Sequence, residues 1–141
     1  MQAQTGEISY YDVEILVPEP SEEVLQFIAA TLEDLGAPKG STLRVAESGT
    51  VRPFGKAEGI AVYLNGTDLP AEIYTSCDVN FVFSEFARLL GTEGRALSHW
   101  EGPTETASYM YGASFTEMRA RLEDFLATYP LCQKSRIVQI A

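Results

Sequence analysis

The sequence is poor in the residues that most often carry chemistry. It has one histidine, His99, one tryptophan, Trp100, and two cysteines, Cys77 and Cys132. One histidine excludes a multi-histidine metal centre. Two widely separated cysteines give neither a disulfide framework nor a CxxC metal or redox site. Both G-x-G-x-x-G and G-x-x-x-x-G-K-[ST] are missing, so no glycine loop offers a phosphate cradle, and no G-x-S-x-G elbow supplies a hydrolase nucleophile. No cofactor is therefore expected. Long apolar runs are missing too. Nothing approaches the ~18 residues of a membrane span, and the opening MQAQTGEISYYD has neither the basic start nor the apolar stretch of a signal peptide. The expectation is a soluble cytoplasmic protein with no membrane contact.

Positive charge is the next scarcity. Ten Lys and Arg stand against twenty Asp and Glu, a formal net charge of -10. That is the wrong sign for drawing in a phosphate backbone, so nucleic acid is not expected as a ligand. The deficit is concentrated. Met1 to Pro38 contains eight acids (Glu7, Asp12, Glu14, Glu19, Glu22, Glu23, Glu33, Asp34) and no Lys or Arg, whereas the rest of the chain holds twelve acids and ten bases. A surface built from this quarter favours a partner with a basic surface and speeds its encounter. The competing reading is that the acids only keep the protein soluble. Apolar material is plentiful: 45% of the 141 residues are hydrophobic, enough for one core, and a single domain spanning residues 1–141 is expected.

Along the chain, YYDVEILV from Tyr10 to Val17 alternates with the period of a half-buried strand. Pro18 and Pro20 end it, and Ser21 caps a helix with Glu22 and Glu23 in its first turn, both favourable near the positive end of the helix dipole. Val24, Phe27, Ile28, Leu32 and Leu35 recur at helical spacing up to Gly36 and Pro38. Thr42 to Ala46 is a short strand, and Glu47 to Gly59 a loop or loose hairpin. Gly59 to Leu64 is a second strand, closed by the turn dipeptide Asn65-Gly66. After an unpatterned excursion, Asp78 caps a helix carrying Val79, Val82, Phe83, Phe86 and Leu90, which Gly91 stops. Arg95 to Trp100 and Glu105 to Tyr111 read as antiparallel strands around a Gly-Pro turn. Ser114 to Glu117 has the S-x-x-E form of a capping box. It opens a helix with Phe115, Met118, Leu122, Phe125, Leu126 and Tyr129 in one stripe, ended by Pro130, and Arg136 to Ile140 is the last strand.

This order gives three βαβ units, residues 10–46, 59–100 and 105–140. Right-handed crossovers would put all three helices on one face of a single mixed sheet. The expected fold class is α+β, a two-layer α/β sandwich of ferredoxin-like character extended by a third unit. Its first consequence is that Val24, Phe27, Ile28, Leu32, Val82, Phe83, Phe86, Met118, Leu122, Phe125 and Leu126 are buried on one face. Its second is that the opposite face of the sheet stays open. Such a face can be left wet, bind a partner, or be covered by a second copy.

Candidate residues follow from this arrangement. His99, next to Trp100 on a strand, reads first as a structural histidine. Cys77 and Cys132 read as small core hydrophobes, although Cys77 stands near a helix start, where a thiol pKa can fall. The tyrosines stand out as a group, because a tyrosine buries a rigid ring and keeps a polar tip, which suits an interface. Tyr10 and Tyr63, with Asp12 and Glu14 on the same open face and Glu22 and Glu23 on the first helix, form the expected partner-binding set. No catalytic and no metal-ligating residues are expected.

The C-terminal third, ETASYMYGASFTEMRARLEDFLATYPLCQKSRIVQIA, combines a strand, a glycine turn, an amphipathic helix, YPLC and a last strand. In this it resembles the ending of small bacterial α/β proteins associated with immunity proteins of polymorphic-toxin systems. The resemblance covers residues 105–141, and its motifs are structural. It implies a non-enzymatic, acidic module that binds and blocks a toxin domain, with the acids of the first quarter meeting a basic cleft. Two other readings stand beside it. One is a homo-oligomeric structural or regulatory domain, a homodimer in which two sheets bury Tyr10, Leu16 and Tyr63. The other is a small-molecule binder or small enzyme using His99 or Cys77 in a pocket.

Overall fold

The computed structural model describes residues 6–8 and 10–141 of the chain. Four helices, α1 (Glu22–Asp34), α2 (Ala71–Ser76), α3 (Val79–Leu90) and α4 (Phe115–Thr128), accompany six strands: β1 (Ser41–Arg44), β2 (Val51–Phe54), β3 (Glu58–Asn65), β4 (Gly94–Glu101), β5 (Glu105–Gly112) and β6 (Arg136–Gln139). The strands form two open antiparallel sheets, a hairpin of β1 and β2 and a four-stranded sheet in the order β4-β5-β3-β6. Since β5 is antiparallel to both β3 and β4, the latter two run parallel with β5 between them; likewise β5 and β6 run parallel with β3 between them. Each of these two parallel pairs is joined through a helix, α3 in one and α4 in the other.

The core lies between this sheet and α3 and α4. Alternate residues of β3, Ile60, Val62 and Leu64, meet Met110 of β5, Val82, Phe86 and Leu90 of α3, and Met118 and Leu122 of α4. Burial of each large side chain contributes about 1.5–3 kcal/mol. The helix ends form where the side chains allow them. Asp78 accepts from the Asn80 amide at 2.8 Å and Ser114 from the Glu117 amide at 3.2 Å, satisfying donors that the helix itself cannot. Glu58 adds a long-range clamp: one carboxylate oxygen takes the Phe115 amide at 2.8 Å, the other the Lys39 ammonium at 2.6 Å. The start of β3 is thereby tied to the start of α4 and to the loop after α1.

Three features depart from the expected sandwich. Residues 10–17 adopt neither helix nor strand. Alternation specifies which side chains a strand would bury, but a strand also needs a ladder of backbone hydrogen bonds to a neighbour, and residues 10–17 join neither sheet. Tyr11, Val13 and Leu16 are 79%, 81% and 99% exposed. Next, the strand near Thr42 pairs with β2, so that of the two readings of Glu47 to Gly59, loop or loose hairpin, the hairpin is the one formed, and it makes a sheet of its own. The sheet is therefore neither single nor mixed, and three βαβ units do not form. Last, α1 stays outside the α3–α4 core. It starts as expected, Ser21 accepting the Val24 amide, yet only Ala29 is buried and Phe27 is 70% exposed. Polar links hold it to the hairpin region: Glu22 pairs with Arg52, and Glu33 accepts the Gly55 amide at 2.9 Å. Gly55 has φ +106, and a Cβ there would lie 1.9 Å from the Pro38 carbonyl oxygen, so this close approach requires glycine.

The unpatterned stretch before Cys77 contains the short helix α2. Among the described residues no helix is long and apolar enough to cross a membrane.

Candidate functional site

On the side of the four-stranded sheet away from α3 and α4, small and aromatic residues alternate across the strands. One row runs Trp100, Ala107, Tyr63, Arg136 from β4 to β6, and the next runs Ser98, Tyr109, Ala61, Val138. Each tyrosine thus faces an alanine of the partner strand and lies diagonal to the other tyrosine, the spacing that lets large rings reach one another. The Tyr63 and Tyr109 rings meet edge to face at 6.5 Å. In the third row Tyr111 faces Gly59, where a Cβ would come within 2.8 Å of the tyrosine ring. Ala61, Ala107 and Tyr63 make a second small core here, with Trp100, Tyr109 and Val138 packed against it.

A polar cluster sits on this floor. Both Tyr63 and Tyr109 donate their hydroxyls to a single carboxylate oxygen, Oε1 of Glu7, the former at 2.6 Å. The Arg136 guanidinium lies 3.8 Å above the Tyr63 ring, a cation–π contact, and Glu105 receives it in a bidentate pair at 2.8 and 2.9 Å. Burial, reinforced by the Glu7 carboxylate, pushes the Tyr63 hydroxyl up to about 12, and the same two causes raise Tyr109 further. Both are therefore neutral donors at physiological pH. The Arg136 hydrogen bonds hold the Glu105 carboxyl below the usual range. The sheet face expected to stand open is thus capped in its middle by a residue of the N-terminal segment.

The expected partner-binding residues fall into two groups. Asp12, Glu14, Glu22 and Glu23 are exposed, as is Tyr10 at 48%. Glu22 shares its charge with Arg52, and Glu33 has Lys56 at 3.9 Å, so bases from beyond Pro38 neutralise part of the acidic quarter. Tyr63 belongs elsewhere. It is only 6% exposed and lies beneath Arg136 and Glu7 rather than beside Asp12 and Glu14. Sequence reasoning missed Glu7, Arg136 and Glu105 as members of one cluster. The available signal was the tyrosine–alanine alternation in AVY and ASY, which marks an aromatic face; nothing local pointed to Glu7, 56 residues before Tyr63.

His99 and Cys77 do not come together. His99 is exposed on β4 with its ring 5.6 Å from Phe83, and it lines a shallow cavity of about 170 Å³ with Leu97 and Ser108. Cys77 lines a separate cavity of about 460 Å³ with Tyr74, Asp78, Thr106 and Leu131. Cys132 is buried, and burial pushes its thiol up to about 11, the behaviour of an inert core cysteine. Among the described residues no group of three or more His, Cys, Asp or Glu side chains is placed to hold a metal ion. Comparison with family models, curated proteins and solved structures finds no match to the chain.

Proposed function

We propose that this chain is a non-enzymatic protein-binding module, an immunity-type inhibitor whose acidic first quarter takes up a basic protein surface such as a toxin domain. One observation carries the reading: large apolar side chains stand exposed between acids. Tyr11, Val13 and Leu16 alternate with Asp12 and Glu14 on the segment before α1, and Phe27 on α1 and Leu35 at its C-cap stand 70% and 73% exposed beside Glu23 and Asp34. Apolar anchors supply affinity once desolvated, while the surrounding acids steer a basic partner inward. Tyr10, Asp12, Glu14, Glu22 and Glu23 are the contacts of this reading. In the same reading the scaffold is ferredoxin-like, because β3-α3-β4 and β5-α4-β6 follow the split βαβ order.

The homodimer alternative gains less support. Packing two such sheets together would displace Glu7 from Tyr63 and Tyr109, and a dimer through the first quarter would set acids against acids. The test is surface-immobilised binding to the protein encoded by the adjacent reading frame, at two salt concentrations. Steering acts through the summed field and is screened over a Debye length of ~8 Å at physiological ionic strength. The double charge reversal Asp12→Lys, Glu14→Lys is expected to slow association and flatten its salt dependence, while Tyr11→Ala speeds dissociation. An unchanged association rate in the reversed variant rejects the acidic interface, and no binding by the unmodified chain rejects that protein as partner.

A further inference from the structure

We propose that the cavity beside the irregular stretch of β4 is a binding site for a single phenol-type ring, whose hydroxyl takes Ser108 as its hydrogen-bond partner and whose ring packs against Phe83 and Leu97. None of these residues belongs to the acidic first quarter, so this site and the acidic interface can fail separately.

Ser108 is the starting point. It stands on β5, on the α3 side of the sheet, with Val62 of β3 opposite it on one flank and His99 of β4 on the other. Among the described residues it is the only buried polar one, 2% exposed, and its hydroxyl makes no hydrogen bond to another described residue. Every fully enclosed side-chain oxygen or nitrogen among the described residues does have a partner. The Ser108 oxygen is therefore not enclosed, and the opening it faces is the cavity of about 170 Å³ that it lines. A hydroxyl carries one donor and two acceptor sites, and folded proteins seldom take one out of water without pairing it. A ligand that brings a hydroxyl of its own supplies the missing pair.

The rest of the lining selects what carries that hydroxyl. Phe83, Ala96 and Leu97 are apolar, Ser98 and His99 polar. The register of β4 slips between Ala96 and Ser98, so Leu97 has no opposite residue on β5 and stays 55% exposed. An irregularity of this kind opens the ladder locally and re-aims a side chain. On the other wall the Phe83 and His99 rings lie 5.6 Å apart, tilted by 38°. Such a wall favours an aromatic guest, which can meet the rings offset or edge to face, over an aliphatic one of the same size. Size sets the rest. An apolar cavity of about 150 Å³ holds one benzene ring, and this one, at about 170 Å³, takes one ring with one small substituent. Water would satisfy Ser108 but leave Leu97 wet. One ring with one hydroxyl is a phenol, and it can arrive free or as the tyrosine side chain of a peptide.

The experiment titrates the full chain with 4-methylphenol and, separately, with N-acetyltyrosinamide, following amide shifts of β4 and β5. The indole N–H of Trp100, which points to the opposite face of the sheet beside Ala107, is the internal control. At least one of the two phenols is expected to give saturable shifts at Leu97, His99 and Ser108, with a Kd on the order of 1 mM, while the Trp100 indole stays still. Tighter binding of N-acetyltyrosinamide supports a tyrosine side chain as the guest, tighter binding of 4-methylphenol a free phenol. Toluene, without the hydroxyl, and 4-methylcyclohexanol, without the aromatic ring, should each bind at least about fivefold more weakly than the better phenol. Ser108→Ala should weaken that phenol by about tenfold and leave toluene unchanged, which separates a lost hydrogen bond from a reshaped cavity. If Ser108→Ala folds poorly, the ranking of the probes on the unmodified chain decides alone. The proposal is overturned if neither phenol saturates, if toluene or 4-methylcyclohexanol binds as well as the better phenol, or if a folded Ser108→Ala binds that phenol unchanged.

Discussion

Leu122 is fully buried on α4, whereas Phe27 is 70% exposed on α1. Truncating Leu122 to Ala removes buried methyl groups and leaves a cavity, with an expected cost of about 2–5 kcal/mol. Phe27→Ala, for all its lost volume, should stay within about 0.5 kcal/mol. Urea midpoints of the two variants check the contrast, and an equal loss for both would mean that α1 is packed into a core after all. Helical spacing marked both residues in the same way, because periodicity identifies the apolar face of a helix and says nothing of what lies opposite. The same limit applies to Tyr63. Its strand and face were legible from GIAVYL, but its environment depends on Glu7 and Arg136, which are brought to it only by the fold.

The elements with strong local signals were the legible ones. Asp78 and Ser114 each cap the helix that their spacing announces, and Ser114→Ala should cost about 1 kcal/mol by leaving the Glu117 amide without its acceptor. The hairpin of β4 and β5 likewise follows from its turn and its alternation, although a register shift between Ala96 and Ser98 shows no sequence mark. Two elements misled in opposite directions. YYDVEILV has strand chemistry yet forms no strand, and VRPF lacks it, with Pro53 unable to donate, yet pairs at the edge of a two-stranded hairpin where a missing donor is tolerated. Stability should follow the same division. Only Ala29 of α1 is buried, whereas β3 is buried on both faces. Amide hydrogens of α1 are therefore expected to exchange through local opening well before those of β3, which need global unfolding. Native-state hydrogen exchange measures this directly, and equal protection of the two would refute a loosely attached first helix.

For the whole molecule, the shifted groups define how stability depends on pH. Hydrogen bonds from Lys39, Arg88 and Arg136 hold Glu58, Glu85 and Glu105 below the ordinary carboxylate value of 4.5. A carboxylate whose pKa is lower when folded stabilises the fold above its unfolded value, and that contribution is lost as pH falls through the folded value. The acid limb therefore lies below about pH 4.5. Tyr63 works at the other end. Burial first, then Glu7, raises its hydroxyl from 10 to about 12, so the folded state keeps a proton that the unfolded chain gives up. Its contribution is complete below pH 10 and disappears as pH rises to about 12. Burial acts in the same direction on Tyr109, Tyr111 and Tyr129, so tyrosinate absorbance should lag behind that of the denatured chain. The variant Tyr63→Phe separates the sheet-face cluster from general alkaline repulsion in a protein that already carries a net charge of -10. It removes the titrating hydroxyl and leaves the ring over which Arg136 packs. Denaturant-derived stability of Tyr63→Phe should therefore fall less steeply than that of the unmodified chain between pH 10 and about 12, with the acid limb unaltered. Parallel alkaline slopes in the two proteins would show that the Tyr63 hydroxyl is not held protonated by burial beneath Glu7 and Arg136.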